Sequence, residues 1–248
     1  MGRITDTVKF IIIINVLFFV GSILTKTEDL FAIHYFENDA FYPWQILTHM
    51  FMHSHTFLPH ILFNMIGVWM FGSPLEQVWG KNKFLFFYLS AGLGAYILPL
   101  AFDYFYIQET INQLVTNGFD KNLILNTLNE GNYYPVWEEI VGKAEYAKFS
   151  RIFYGGSLGA SGALMGILVA FGFMFPNSKL MLIFLPIPMK AKYFIPLLLA
   201  YDIISGFTGG TSLFGVSVNH WAHVAGALTG LVITLIWKKN SFNNKRWY

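Results

Sequence analysis

Six apolar stretches, at about 8–25, 57–73, 84–107, 158–175, 191–208 and 220–238, constrain this chain more than any other feature. Each is close to the roughly 20 residues that an α-helix needs to cross a hydrocarbon layer. They are apolar all round, so as soluble helices they would have no polar face to turn to water. The composition agrees: 55% of the 248 residues are hydrophobic, 12% are charged and the mean hydropathy is +0.49, against about 25% charged in an ordinary soluble domain. The expected fold is an all-α polytopic membrane protein, a bundle of six transmembrane helices.

Orientation follows from the basic residues. With the N-terminus on the cytoplasmic side, eleven Lys and Arg, from Arg3 and Lys9 to Lys245 and Arg246, fall inside, and five (Lys26, Lys121, Lys143, Lys148 and Arg151) fall outside. That asymmetry satisfies the positive-inside rule and predicts that both termini are cytoplasmic. The first stretch follows Arg3 and Lys9 as a signal peptide would, but Ile23-Leu24-Thr25-Lys26 is no small-x-small cleavage site, so it reads as a retained span. A bacterial inner membrane is the expected location. The expected domain is single, 1–248, with an external loop insertion at about 108–157 that carries helix-like patterns near Glu109–Thr116, Lys121–Leu128 and Pro135–Lys148.

Several chemistries are excluded at once. The chain has no cysteine, so it holds no thiolate nucleophile, Cys-ligated metal or disulfide. A net charge of +2, with basic residues at segment ends, gives no footprint for nucleic acid. His49 and His53 stand at i, i+4 but lack the glutamate of a helical zinc-protease motif, and structural hydrogen bonding explains them better than a metal.

What remains is a serine and a histidine at matching ends of two spans. Ser161 lies in Gly159-Ala160-Ser161-Gly162 at the start of the fourth stretch. A hydroxyl there would face the free N–H groups of a helix N-terminus, although a helix cap or small-residue contact would use the same pattern. His223 lies in Ala222-His223-Val224-Ala225-Gly226-Ala227-Leu228-Thr229-Gly230. An ionisable residue inside a span is costly and is read first as functional. Gly226 and Gly230 provide a smooth face on which the small residues of the fourth stretch can pack, bringing His223 beside Ser161. His60 and Asn64, at i, i+4, share a face at the outer end of the second stretch and could donate to an oxyanion or bond to neighbouring helices. Asp202 is the sole acid well inside a span; it could orient His223 or bond locally near Tyr201 and Gly206, and the sequence assigns it no role.

These motifs, taken in order, resemble the rhomboid family of intramembrane serine proteases over nearly the whole chain. The family's G-x-S-G corresponds to Gly159–Gly162, its A-H-x-x-G-x-x-x-G to Ala222–Gly230, and its H-x-x-x-N to His60–Asn64. The resemblance implies a Ser161 nucleophile, a His223 general base, and oxyanion stabilisation by His60 and Asn64. It implies no metal or organic cofactor. Its expected partners are transmembrane protein substrates in the lipid bilayer. Two positions depart from the family pattern: its Trp-Arg is Trp44-Gln45 here, and an aromatic one turn after the serine in several bacterial members is Met165. The expected activity is an intramembrane serine endopeptidase. The rivals are a rhomboid-like protein that binds transmembrane clients without cleaving them, and a transporter using the histidines and Asp202 as a proton relay.

Overall fold

The computed structural model describes residues 3–182, 185–208 and 218–241; Lys245 and Arg246 of the charge count lie outside them. The fold is a helical membrane bundle. Each of the six apolar stretches is helical: α1 (Asp6–Thr25), α4 (Pro59–Gly67) continuing through a π turn into α5 (Ser73–Trp79), α6 (Lys81–Thr116), α10 (Ser161–Met174), α11 (Ala191–Thr208) and α12 (His220–Ser241). Three of them, α1, α6 and α12, are long and apolar enough to cross a membrane by length and composition alone.

Between these lie short elements: α2 (Glu28–Phe31) and α3 (Gln45–Thr48) in the first long connection, and α7 (Lys121–Asn129), α8 (Pro135–Val141) and α9 (Lys143–Tyr154) in the second. A hairpin of β1 (Lys179–Leu182) and β2 (Leu185–Lys190) joins α10 to α11, with Lys179 paired to Lys190. Pro186 and Pro188 explain why this connection is not helical: each removes a backbone donor, which a two-stranded edge tolerates and a helix interior does not.

α6 differs from the sequence expectation. Hydropathy ended a span near residue 107 and began a separate helix at Glu109; the structure has one helix of 36 residues, about 54 Å long at 1.5 Å per residue. Hydropathy registers where the bilayer ends, whereas nothing between Phe102 and Thr116 breaks the backbone. The extension is a stalk for α7–α9. Ile107, Ile111 and Leu114 of the stalk are fully buried with Ile124, Leu128, Trp137, Phe149 and Phe153 in a separate apolar core. The polar cap expected outside the membrane is thus a packed subdomain. Its local signals are ordinary: Asp120 accepts from the N–H of Asn122 and Leu123 to cap α7, and Gly142, at φ +89°, turns the chain between α8 and α9.

The main core surrounds α10, nine of whose fourteen residues are buried. Its close neighbours are α6 and α12. A Cβ on Gly226 would collide with the Gly162 carbonyl, and one on Gly230 would lie 2.6 Å from the Gly166 Cα. The two glycine faces therefore pack backbone to backbone, as the Gly-x-x-x-Gly repeat predicted.

At the other end of the bundle, Glu76 of α5 closes the start of α1. Its carboxylate accepts from the Thr7 and Val8 N–H groups at 3.0 Å each, and from the Thr5 hydroxyl. Thr5 itself makes no side-chain cap, so a residue about seventy positions away satisfies the helix's free donors. Burial pushes the Glu76 carboxyl up, but these hydrogen bonds outweigh it and leave the group below its usual value. A depressed folded-state pKa stabilises the fold above the ordinary glutamate range, and the contribution fades as pH falls through the folded value. Glu76→Ala should therefore lower stability by about 1–3 kcal/mol at pH 7, and the gap to wild type should narrow below about pH 4. Thermal unfolding in detergent at the two pH values measures this, and an equal loss at both would contradict it.

Candidate active site

The site is assembled where three segments meet. The first is the connection 26–56, ordered around Gln45. That side chain is fully buried; its amide donates to the Ala40 carbonyl at 2.9 Å and its oxygen accepts from the Tyr42 N–H at 3.1 Å. Weaker contacts reach Leu30 and the His34 N–H at 3.3 and 3.4 Å. The glutamine that stands in place of the family's arginine thus ties several strands of the loop together. Both Gln45 and its neighbour His49, whose Nδ1 lies 2.8 Å from the Gln45 carbonyl, are built into this scaffold.

The second segment is the Gly-rich approach to Ser161. Irregular backbone at membrane depth must have its polar groups satisfied by protein. The loop does so here: Ile33 and Ser157 exchange both backbone hydrogen bonds at 2.9 Å, and the Gly159 N–H donates to the His49 carbonyl at 2.9 Å. Gly159 has φ +125°, a conformation closed to other residues, and a Cβ there would lie 2.9 Å from His60 Nε2 and 3.7 Å from Ser161 Oγ. The His60 ring therefore packs directly against Gly159, with the Ser161 hydroxyl beside it.

Ser161 is the first residue of α10. The helix begins three residues after the start of the apolar stretch, because Gly159 breaks the helical backbone. An α-helix leaves its first N–H groups without partners inside the helix. The third segment, the start of α12, is capped by Asn219, whose side chain accepts from the Ala222 N–H at 3.0 Å. This places His223 on the second helical turn, facing α10. His223 Nε2 lies 2.8 Å from Ser161 Oγ across 62 residues of sequence.

The remaining candidates divide. Asn64 is buried, and its Nδ2 has no hydrogen-bond partner among the described residues. His53 is fully buried. Its ring sits edge-on to His60 at 5.0 Å, and burial, then His60, holds it neutral, pushed down to about 3. Met165 is buried in the core of the bundle. Asp202, left without a role by the sequence, lies 3.1 Å from His223 Nδ1 and 2.6 Å from His220 Nδ1. His220 was missed altogether; its signal was the i, i+3 spacing that puts it on the His223 face.

Asp202, His220 and His223 are also the described residues clustered closely enough to be weighed as metal ligands. A separation of 2.6 Å between His220 Nδ1 and Asp202 Oδ1 is a hydrogen-bond distance, whereas two ligands on a tetrahedral zinc at about 2.0–2.1 Å stand roughly 3.3 Å apart. The geometry is that of donors on a carboxylate.

A family model described as the rhomboid domain matches residues 40–108 and 136–240. The gap between the two matched parts falls in the α6 stalk and α7. Among similar proteins, Rhomboid protein 1, mitochondrial, of Saccharomyces cerevisiae is 24% identical over 72% of this chain and 38% of its own length. The human Presenilin-associated rhomboid-like protein, mitochondrial, is 29% identical over 79% of this chain and 40% of its own. Rhomboid protease GluP of Bacillus subtilis is 32% identical over 41% of this chain and 21% of its own. The chain thus spans about two fifths of the mitochondrial relatives that it matches. These relatives overturn the expected bacterial inner membrane and point to a mitochondrial one. The charge asymmetry behind that expectation distinguishes the two sides of a bilayer and carries no information about which membrane it is.

Proposed function

This chain belongs to the rhomboid family, and from that premise we propose that it is an intramembrane serine endopeptidase that cleaves transmembrane protein substrates in or beside their membrane segments. The observation that carries this reading is the 2.8 Å contact between Ser161 Oγ and His223 Nε2 at the N-terminus of α10. In the reaction, His223 Nε2 takes the hydroxyl proton as Ser161 Oγ attacks the scissile carbonyl carbon. The carbonyl π electrons move to oxygen, and the oxyanion is held by the backbone N–H of Ser161 with His60 and Asn64. His223 then returns the proton to the amide nitrogen, the C–N bond breaks, and an acyl-enzyme remains on Ser161. Water, deprotonated by the same imidazole, releases it.

The unpaired Asn64 Nδ2 supports this assignment. A buried donor left unbonded costs about 1–3 kcal/mol, a cost that makes sense where the partner is an oxygen that becomes charged only during reaction. An intact substrate helix shields its amides, so the substrate must unwind locally, and helix-destabilising residues such as glycine near its cleavage site should help.

Fluorophosphonate labelling of the detergent-solubilised protein tests the reading. One adduct per chain is expected, on Ser161, with loss of cleavage of a transmembrane substrate in parallel. An unlabelled, non-cleaving protein that still retains transmembrane clients would replace the protease reading with that of a client-binding rhomboid.

A further inference from the structure

A serine–histidine pair leaves one question open: what keeps the imidazole proton away from Ser161. Neutral histidine carries one N–H, and Nε2 can accept from the hydroxyl only when that hydrogen is on Nδ1. His223 Nδ1 lies 3.1 Å from Asp202 Oδ1, and His220 Nδ1 lies 2.6 Å from the same oxygen. Asp202 and His220 are 3% and 5% exposed, and His223 has 17% of its side chain accessible. The carboxylate and its second histidine are thus closed off, while the ring they hold opens toward the site. An ionised carboxylate accepts and cannot donate. Both Nδ1 atoms therefore carry hydrogen, and His223 Nε2 presents its lone pair to Ser161.

We propose that Asp202 is a positioning residue for the base, and that it turns the serine–histidine pair of this chain into a Ser161–His223–Asp202 relay clamped by His220. Asp202 selects the Nδ1–H tautomer of His223 and stabilises the imidazolium formed when the proton leaves Ser161. His220, one turn before His223 on the same face of α12, gives the carboxylate a second donor. Without it, the buried carboxylate would keep one donor among the described residues, and a buried charge is held best where its remaining lone pairs are also hydrogen-bonded. The Tyr201 ring packs edge-on against His220 at 5.9 Å and completes the wall behind the clamp. The arrangement also accounts for Met165, since a ring held from behind by a carboxylate has no need of an aromatic stacked one turn after the serine.

The inference rests on the protease reading, and the test separates the two. Imidazole ¹⁵N spectra of the full-length protein in detergent at neutral pH, assigned with His223→Gln, require no activity. They should show Nδ1 of His223 protonated and Nε2 unprotonated. The reverse tautomer overturns the proposal whether or not the protein cleaves anything. In the cleavage assay, Asp202→Asn keeps the shape but can donate to Nδ1 and so favour the wrong tautomer. Turnover should fall about 10⁴-fold with KM little changed, the cost of the same substitution in a soluble serine-protease triad and less than loss of the serine or histidine itself. Asp202→Glu should recover part of the rate. An Asp202→Asn protein with unchanged turnover refutes the proposal while leaving labelling of Ser161, and the protease reading, intact. Activity lost to a chelator and restored by zinc would refute it in favour of a metal centre.

Discussion

Ser161→Ala and His223→Ala should each abolish cleavage while leaving a folded protein in the membrane. The two side chains share one hydrogen bond, at 2.8 Å, and serve one proton-coupled attack, so the double variant should be no worse than either alone. Removing a member of such a unit from soluble serine proteases costs on the order of 10⁶-fold in kcat, which puts either variant at the assay background. Neither change opens a large cavity: Ser161→Ala deletes one oxygen, and His223 is partly exposed. Thermal unfolding should therefore stay near wild type, and fluorophosphonate should label neither variant. Appreciable turnover by Ser161→Ala would rule out the mechanism.

Substituting the oxyanion donors should produce a different pattern. Asn64→Ala and His60→Ala should each lower turnover about 10²–10³-fold, the cost of one such donor in other enzymes. Activity falls without vanishing, because the backbone N–H of Ser161 still donates. Fluorophosphonate labelling should slow as well, since its tetrahedral adduct needs the same donors. Stability gives the discriminating measurement. Asn64 Nδ2 is buried without a partner among the described residues, so deleting the amide removes a desolvation cost, and melting temperature should hold or rise as turnover drops. A pair that merely tied helices together would give the converse, lower melting temperatures with turnover per folded molecule unchanged, and that result would remove both residues from the site.

Much of this was legible along the chain because its signals are local. Length and hydropathy suffice to mark six helical stretches, and the small-residue repeat around Gly226 and Gly230 announces a face on which backbones meet. α10 starts three residues inside its apolar stretch, since an apolar pattern does not register the positive φ of Gly159. α6 was divided where the bilayer ends because polarity and helicity are separate properties, and only polarity changes near residue 107. Gln45 looked like a loss, because a substitution shows which group is gone and not that the new amide reaches Ala40 and Tyr42.

The sequence by itself determined that the chain is a helical membrane bundle and which serine and histidine are the candidates for its chemistry: burial of apolar surface and the cost of an intramembrane histidine act wherever those residues lie. Only the tertiary structure decided what surrounds them. Asp202 meets His223 across 21 residues, and Ile33 stitches to Ser157 across more than a hundred. Contacts between residues so far apart depend on how helices cross and loops close, and no periodicity in the chain encodes them. The same Asp202 would have been an ordinary helix-end hydrogen-bonder had α11 been turned by half a revolution; its register against α12 aims the carboxylate at the base.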